Sequence, residues 1–262
     1  MTTRSVTAGE KLFVLIRDKI VSRELAMPKM QDVLQNVSGS PGFPAYIWGA
    51  ITVHAVRRLM RYSNDEKSNV SEDLYGKKIY RFVTGEMFPG LDRDLTGQIT
   101  RAVMQAENAS SRPIPPSVKK DVLQRGGALR CYLCSRPLDP AVKRDSPDFL
   151  TLEHLWPSSI GGDSIEENLL PACKKCQIDK ADGLSWEWFN VHNLMLPSSP
   201  DEEALKAVPW SARIARHYHR VMQECESEGW SLKVGFERIG TVKHGTEHVR
   251  GQSGHPVTFF NI

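Results

Sequence analysis

The sequence lacks a long apolar stretch and has little net charge. Its N-terminal apolar run, residues 12–16, is followed at once by the charged residues 17–19, so it is too short for a secretory signal or a membrane span. The formal net charge is +3 over 262 residues, which permits a nucleic-acid partner without arguing for one. We therefore expect a cytoplasmic chain with no membrane segment.

Cysteine is also scarce, but its spacing is informative. Five cysteines are present, of which four form the pairs Cys131/Cys134 and Cys173/Cys176, while Cys225 stands alone. Two residues separate the members of each pair, which is typical of zinc ligands in a reducing compartment. Four thiolates can close a tetrahedral zinc site with sulfur ligands at ~2.3 Å and no open position for substrate. The sequence therefore predicts structural Zn²⁺ and leaves Cys225 as an unpaired thiol.

The composition is otherwise ordinary for a folded protein. Hydrophobic residues make up 40% of the chain and charged residues 25%, so neither bulk disorder nor a fibrous structure is indicated. Apolar residues recur at helical spacing in the first part of the chain. They predict two helices within residues 9–37 and further helices over residues 45–62, 72–88 and 95–108, before a Pro/Ser-rich linker over residues 110–116. We predict an α-helical N-terminal region over residues 1–115.

The pattern changes after this linker. A short amphipathic helix over residues 117–124 precedes the first cysteine pair, and a β-prone stretch over residues 149–154 is followed by turn-forming residues 160–163. A helix is predicted directly behind Cys176. We assign residues 116–192 to one module, with Trp186, Trp188 and Phe189 packed onto it.

The remaining residues, 193–262, are predicted to form a C-terminal extension. Residues 201–229 favour a helix that breaks at Pro209, because proline cannot donate a helical hydrogen bond. Short β-prone pieces follow over residues 234–239 and 257–260, so we predict one helix and short strands in this small α/β extension.

The residues between the cysteine pairs are the most specific part of the sequence. The segment Leu152-Glu153-His154-Leu155-Trp156-Pro157 is followed by Gly161-Gly162-Asp163, by Glu167-Asn168-Leu169-Leu170-Pro171-Ala172-Cys173-Lys174-Lys175-Cys176, and by Gln177, Lys180 and Asp182. Asn168 lies 14 residues and Gln177 23 residues after His154. In order and spacing these elements resemble the HNH endonuclease motif of the ββα-metal superfamily. The resemblance covers about residues 126–183 and implies an α+β chain with a central ββα-metal module that contains the four-cysteine zinc.

The resemblance also implies a role for each motif residue. Glu153 matches the acidic ligand of a catalytic Mg²⁺ or Mn²⁺, for which a carboxylate is suited. His154 matches the general base that takes a proton from water. Asn168 matches the asparagine that holds the catalytic loop, and Gln177 matches the last position, where its amide oxygen would complete the metal shell. Nearby cations would contact phosphates: Lys174, Lys175 and Lys180.

Each of these residues also has a plainer interpretation. His154 is compatible with a core histidine bonded to a backbone carbonyl, Asn168 with a cap or turn, and Gln177 with a surface amide. The basic cluster over residues 213–220 is more often a solvated helix face than a DNA-binding surface. The cysteines alone would make a zinc module without catalysis.

The expected function is metal-dependent hydrolysis of DNA phosphodiester bonds by an HNH nuclease. The alternative is a non-catalytic zinc-stabilised module that binds nucleic acid or protein. The resemblance extends to HNH effectors of prokaryotic anti-phage defence systems, in which a protein partner would activate or restrain the nuclease. DNA is the substrate that the resemblance implies. The helical N-terminal region is a candidate docking surface for such a partner.

Overall fold

The computed structural model describes residues 4–21, 43–124, 128–184 and 209–242. Its N-terminal half is helical, as the apolar spacing predicts. The helices are α1 (Ala8–Ile16, continued by a wider helical turn over Arg17–Val21), α2 (Phe43–Asn69), α3 (Glu72–Phe82, continued by Val83–Met87), α4 (Arg93–Ser110) and α5 (Pro116–Gln124). The second helix predicted within residues 9–37 lies outside the described residues, and α2 runs past its predicted end at residue 62.

Side-chain caps fix where two of these helices begin. At α1, Thr7 Oγ1 accepts from the Glu10 backbone N–H at 3.1 Å, and Glu10 Oε2 accepts from the Thr7 backbone N–H at 2.7 Å. At α4, Asp92 Oδ1 accepts from the backbone N–H of Leu95 at 2.8 Å. These bonds satisfy N–H groups that have no partner inside the helix, so the sequence itself marks both starts.

A two-stranded antiparallel sheet follows the helical region. Strand β1 (Leu150–His154) pairs with β2 (Leu169–Cys173), and the register places His154 opposite Leu169. Helix α6 (Lys174–Lys180) follows β2 without a loop, since Cys173 is both the end of the strand and the residue before the helix. Strand, strand and helix are thus consecutive. The described chain is helix-rich with this small sheet, in agreement with the predicted α+β class.

The C-terminal part that is described consists of α7 (Trp210–Glu228) and α8 (Leu232–Ile239). Helix α7 begins directly after Pro209, where the break was predicted, and Gly229 follows its last residue with φ +69°. Residues 201–208, which the prediction placed in a helix before the break, lie outside the described residues. The predicted strand over residues 234–239 is wrong, because the structure has α8 there. Ser231 caps this helix, and Leu232 and Phe236 lie one turn apart on its buried face. The strand predicted over residues 257–260 lies outside the described residues.

The loop between β1 and β2 packs against the N-terminal helices. The backbone N–H of Gly9 donates to the carbonyl of Gly161 at 2.8 Å, and the Phe13 and Trp156 rings meet edge to face at 5.3 Å. Gly161 has φ +86°, and a Cβ there would lie 2.7 Å from the Cβ of Ala106. Only glycine allows this turn and this close approach, so the helices and the loop share one core.

None of the helices in the described ranges combines the length and apolar character that a bilayer crossing requires.

Candidate functional site

The four paired cysteines form a compact cluster. Their sulfur atoms all lie within 4.8 Å of one another, and Sγ of Cys134 is 3.8 Å from Sγ of Cys173. A tetrahedral ion with sulfur ligands at ~2.3 Å has ligand-to-ligand edges of about 3.8 Å, so the spacing suits zinc. Of the four, only Cys134 is partly exposed. The cluster could therefore hold a metal ion such as zinc in a closed site.

Two local structures bring these cysteines together. The first pair lies in a tight turn, in which the Cys131 N–H donates to the Arg136 carbonyl at 2.9 Å and Ser135 adopts φ +60°. The Tyr132 N–H donates to the carbonyl of Pro171 in β2 at 3.0 Å, which fastens the turn to the sheet. The second pair spans the end of β2 and the first turn of α6. A bound metal would therefore tie the turn, the strand and the helix into one unit.

The thiols perturb one another strongly. The pKa of Cys131 is lowered to about 5, because the Cys176 thiol hydrogen-bonds to it and backbone N–H groups add further bonds against the effect of burial. Burial raises the pKa of Cys134 to about 11, and the bond to Cys131 raises the pKa of Cys176. One thiolate thus opposes ionisation of its neighbours. A cation at the centre would remove this repulsion, which is the expected behaviour of a metal site.

Glu153 is enclosed rather than open to solvent. Its Oε1 accepts from Lys180 Nζ at 2.7 Å, and both side chains are almost fully buried, with Lys180 at 1% and Glu153 at 8% exposure. The Gln177 side chain lies near enough to this carboxylate to act on its pKa. Burial raises the pKa of Glu153, while the charge and hydrogen bond of Lys180 and the nearby Gln177 amide oppose that rise. The structure thus brings together the two residues expected to share a divalent ion, with an ammonium group beside them.

Lys180, for which the sequence predicts a phosphate contact, is buried and bonded to groups inside the protein. Besides Glu153, its Nζ donates to the carbonyls of His154 at 3.0 Å and of Ala181 at 3.4 Å. The ring of Tyr218 in α7 lies 5.5 Å from the same nitrogen. The three N–H bonds are thus all used inside the protein, and the phosphate contact of this residue stays a prediction. Lys180 instead neutralises Glu153.

His154 is half-buried at the end of β1, where its ring meets the β1–β2 loop. Its Nε2 lies 3.1 Å from Oγ of Ser164. Burial lowers the pKa of His154, the charge of Lys180 lowers it further, and the charge of Asp182 acts in the opposite direction. The ring is therefore uncharged at neutral pH, which is the form that can accept a proton.

Asn168 holds the ends of the loop between the strands. Its Oδ1 accepts from the Trp156 N–H at 2.7 Å, and its Nδ2 donates at 3.0 Å both to the Trp156 carbonyl and to the Asp163 carbonyl. The side chain is buried, with 1% exposure. Its amide is occupied by the loop backbone, so Asn168 fixes the loop that starts at His154 and has no group turned towards solvent.

The other predicted contacts are distributed around this centre. Lys174 donates to the Arg144 carbonyl at 3.0 Å, and the exposed Lys175 pairs with Asp179 at 3.0 Å. In the basic cluster of α7, His217 is buried and bonded to the Gly240 carbonyl at 2.9 Å, so the cluster is not one exposed face. Cys225 is unpaired and buried. The predicted aromatic plug at residues 186–189 lies outside the described residues.

The sequence did not indicate two contacts that shape this site. Ser164 approaches His154 from the loop, and Arg57 of α2 reaches across to Oγ of Ser159 at 3.2 Å and to the Asp182 carbonyl. Neither serine nor arginine stands in a spacing that would mark it as functional. Only the packing of the N-terminal helices against the loop brings them into place.

Comparison with family models, with curated proteins and with solved structures finds no match for this chain.

Proposed function

We propose that this chain is an HNH-type endonuclease that hydrolyses DNA phosphodiester bonds, with His154 as the general base. The observation that carries the proposal is the consecutive strand, strand and helix around Glu153, His154, Asn168 and Gln177. Within this arrangement a half-buried imidazole with a lowered pKa ends β1, directly after Glu153 in the sequence, and Asn168 fixes the loop that follows it. The four-cysteine cluster supports the same interpretation, because it fastens the helix to the sheet.

The contacts of each residue indicate its proposed role. His154 takes the proton from the attacking water, since its pKa is lowered and its ring is uncharged. Asn168 keeps the loop behind His154 in one conformation through its three hydrogen bonds. Glu153 and Gln177 would hold a divalent cation, which when bound stabilises the oxyanion of the leaving group. Their donors suit Mg²⁺ or Mn²⁺ in kind, because both offer oxygen.

The Glu153–Lys180 pair favours a second candidate function. An ammonium ion already neutralises the carboxylate at 2.7 Å, so a divalent cation must compete with it. If that competition fails, the chain is a zinc-stabilised module that binds nucleic acid or protein without cleaving it. Lys174 and Lys175 on α6 would then serve for binding alone.

A plasmid assay separates the two functions. Zinc-loaded protein should nick or linearise supercoiled plasmid in Mg²⁺ or Mn²⁺ and stop when EDTA is added. The His154→Ala variant should lose about 10²–10⁴ in rate while its zinc content and melting temperature stay unchanged. His54→Ala, a change of the same type at an exposed position of α2, is the matched control and should cleave as the unaltered chain does. Intact plasmid across the metal series, with DNA binding retained in a gel-shift assay, would favour the binding module.

The proposal extends to a protein partner that restrains or activates the nuclease, as in prokaryotic defence systems. A pull-down from native lysate with the full chain tests this. Recovery of a stable complex whose removal changes the cleavage rate would support it, whereas an active nuclease that is recovered alone would contradict it.

A further inference from the structure

The hydroxyl of Ser164 stands between the His154 ring and a backbone carbonyl of the helical region. Ser164 Oγ lies 3.1 Å from His154 Nε2 and 2.9 Å from the carbonyl oxygen of Arg112. Arg112 belongs to the short segment between α4 and α5, and it is 52 residues away from Ser164 in the sequence. Three groups from β1, the loop and the helical region thus form one chain of hydrogen bonds.

The donor and the acceptor of each hydrogen bond in this series follow from the number of available protons. A carbonyl oxygen only accepts, so the contact with Arg112 requires the single hydroxyl proton of Ser164. That proton cannot also point at His154. The contact between Ser164 and the ring therefore needs a proton on Nε2, donated to the hydroxyl oxygen. When the ring is uncharged, this is its single N–H, and its lone pair is then on Nδ1.

We propose that Ser164 is a positioning residue, which takes its orientation from the Arg112 carbonyl and fixes His154 as the Nε2–H tautomer with Nδ1 as the basic atom. This inference rests on the proposed nuclease function for its catalytic consequence, but the tautomer itself is a property of the folded chain. It also gives the N-terminal helical region a direct part in the site.

The surroundings of Ser164 hold it in place. Its side chain is buried, with 8% exposure. The preceding residue, Asp163, is fastened twice, since its carbonyl accepts from Asn168 Nδ2 and its Oδ1 accepts from the backbone N–H of Ala8, both at 3.0 Å. The hydroxyl is therefore a fixed acceptor, as a group that orients a catalytic ring has to be.

Two-bond ¹H–¹⁵N correlation spectra of zinc-loaded, ¹⁵N-histidine-labelled protein locate the proton on the ring without DNA. His154→Gln assigns the signals, because one set disappears. We expect the proton of His154 on Nε2 and slowed exchange of that proton with water. Ser164→Thr, which keeps a hydroxyl, should preserve both properties, and Ser164→Ala should restore fast exchange and mix the tautomers. A proton on Nδ1 in the unaltered chain would overturn the assignment.

Cleavage kinetics test the catalytic consequence. Ser164→Ala should lower kcat on plasmid about ten- to a hundredfold with KM unchanged, since misdirection of a catalytic group acts on the chemical step. Ser164→Thr should restore most of the rate. Ser158→Ala is the matched control, because this serine lies in the same loop and outside the hydrogen-bond chain.

Different results would contradict the positioning role of Ser164 and the nuclease function of the chain. Full activity of Ser164→Ala would overturn the positioning role. A chain that keeps the proton on Nε2 but cleaves no DNA would contradict the proposed nuclease function and still support the orientation of His154 by Ser164.

Discussion

Replacement of Lys180 by methionine tests whether Glu153 is a buried charge that needs a partner. The change removes the ammonium group while nearly preserving side-chain length and apolar volume. It leaves Glu153, which is 8% exposed as a side chain, without the cation that now lies 2.7 Å from it. The nearby Gln177 amide carries no charge and cannot replace this cation.

The size of the effect follows from the geometry. At 2.7 Å and an effective dielectric constant of about 20, the attraction between the two charges is about 6 kcal/mol. Desolvation of both ions offsets much of this in the intact pair, but removal of one partner leaves the other charge uncompensated. We therefore expect Lys180→Met to lower the free energy of unfolding by about 3–5 kcal/mol at pH 8.

The effect should depend on pH with a known sign. Loss of Lys180 removes the charge and the hydrogen bond that oppose the rise of the Glu153 pKa, so this pKa moves further above its ordinary value of 4.5. Between that value and the raised pKa, the folded variant binds more protons than the unfolded chain. Its stability therefore falls as pH rises through this window, and the loss relative to the unaltered chain is smaller at pH 5 than at pH 8.

Urea unfolding of zinc-loaded protein, followed by circular dichroism at both pH values, measures this difference. Lys175→Met is the matched control, since it removes an exposed lysine of the same helix whose pair with Asp179 is worth about 0–1 kcal/mol. Equal destabilisation by Lys180→Met and Lys175→Met at both pH values would show that Glu153 is not a buried charge that needs a partner.

Three further outcomes are expected. Asn168→Ala should lower the free energy of unfolding by about 3 kcal/mol in the same urea assay, because it leaves buried loop backbone groups without partners; a loss below about 1 kcal/mol would contradict this. Gly161→Ala should lower the melting temperature more than Gly229→Ala, since both positions have positive φ but only Gly161 has close neighbours; equal shifts would argue against the tight contact. By elemental analysis, Cys173→Ser should lose bound zinc and Cys225→Ser should keep it. Equal zinc content in the two variants would contradict zinc binding at the four-cysteine cluster.

Features set by local sequence were predictable. The cysteine spacing predicts the cluster, because two closely spaced pairs can close a metal site wherever the chain brings them together. Apolar periodicity predicts the N-terminal helices, and β-prone residues predict β1. The second strand has no such signal, since Pro171 lies in its middle. A proline is tolerated there because, within the described part of the chain, β2 pairs with β1 alone and does not need that N–H.

Features set by packing were not predictable. Residues 234–239 look β-prone because valine and isoleucine favour strands, but the Ser231 cap and the close approach of Gly235 to Cys225 of α7 stabilise a helix instead. The burial of Lys180 was not predicted, because lysine is rarely buried without a partner. Its partner is 27 residues away in the sequence, and no spacing rule marks such a pair.

The position of Ser164 depends on the N-terminal helices, and this bears on how the site is controlled. The Gly9 N–H holds the Gly161 carbonyl at 2.8 Å, and Arg112 supplies the carbonyl that orients the Ser164 hydroxyl. Both contacts act on a loop whose other end Asn168 fixes in place. A displacement of α1 or of the α4–α5 segment would therefore shift Ser164 before it shifted β1. The orientation of the histidine therefore depends on helices that do not contact its ring.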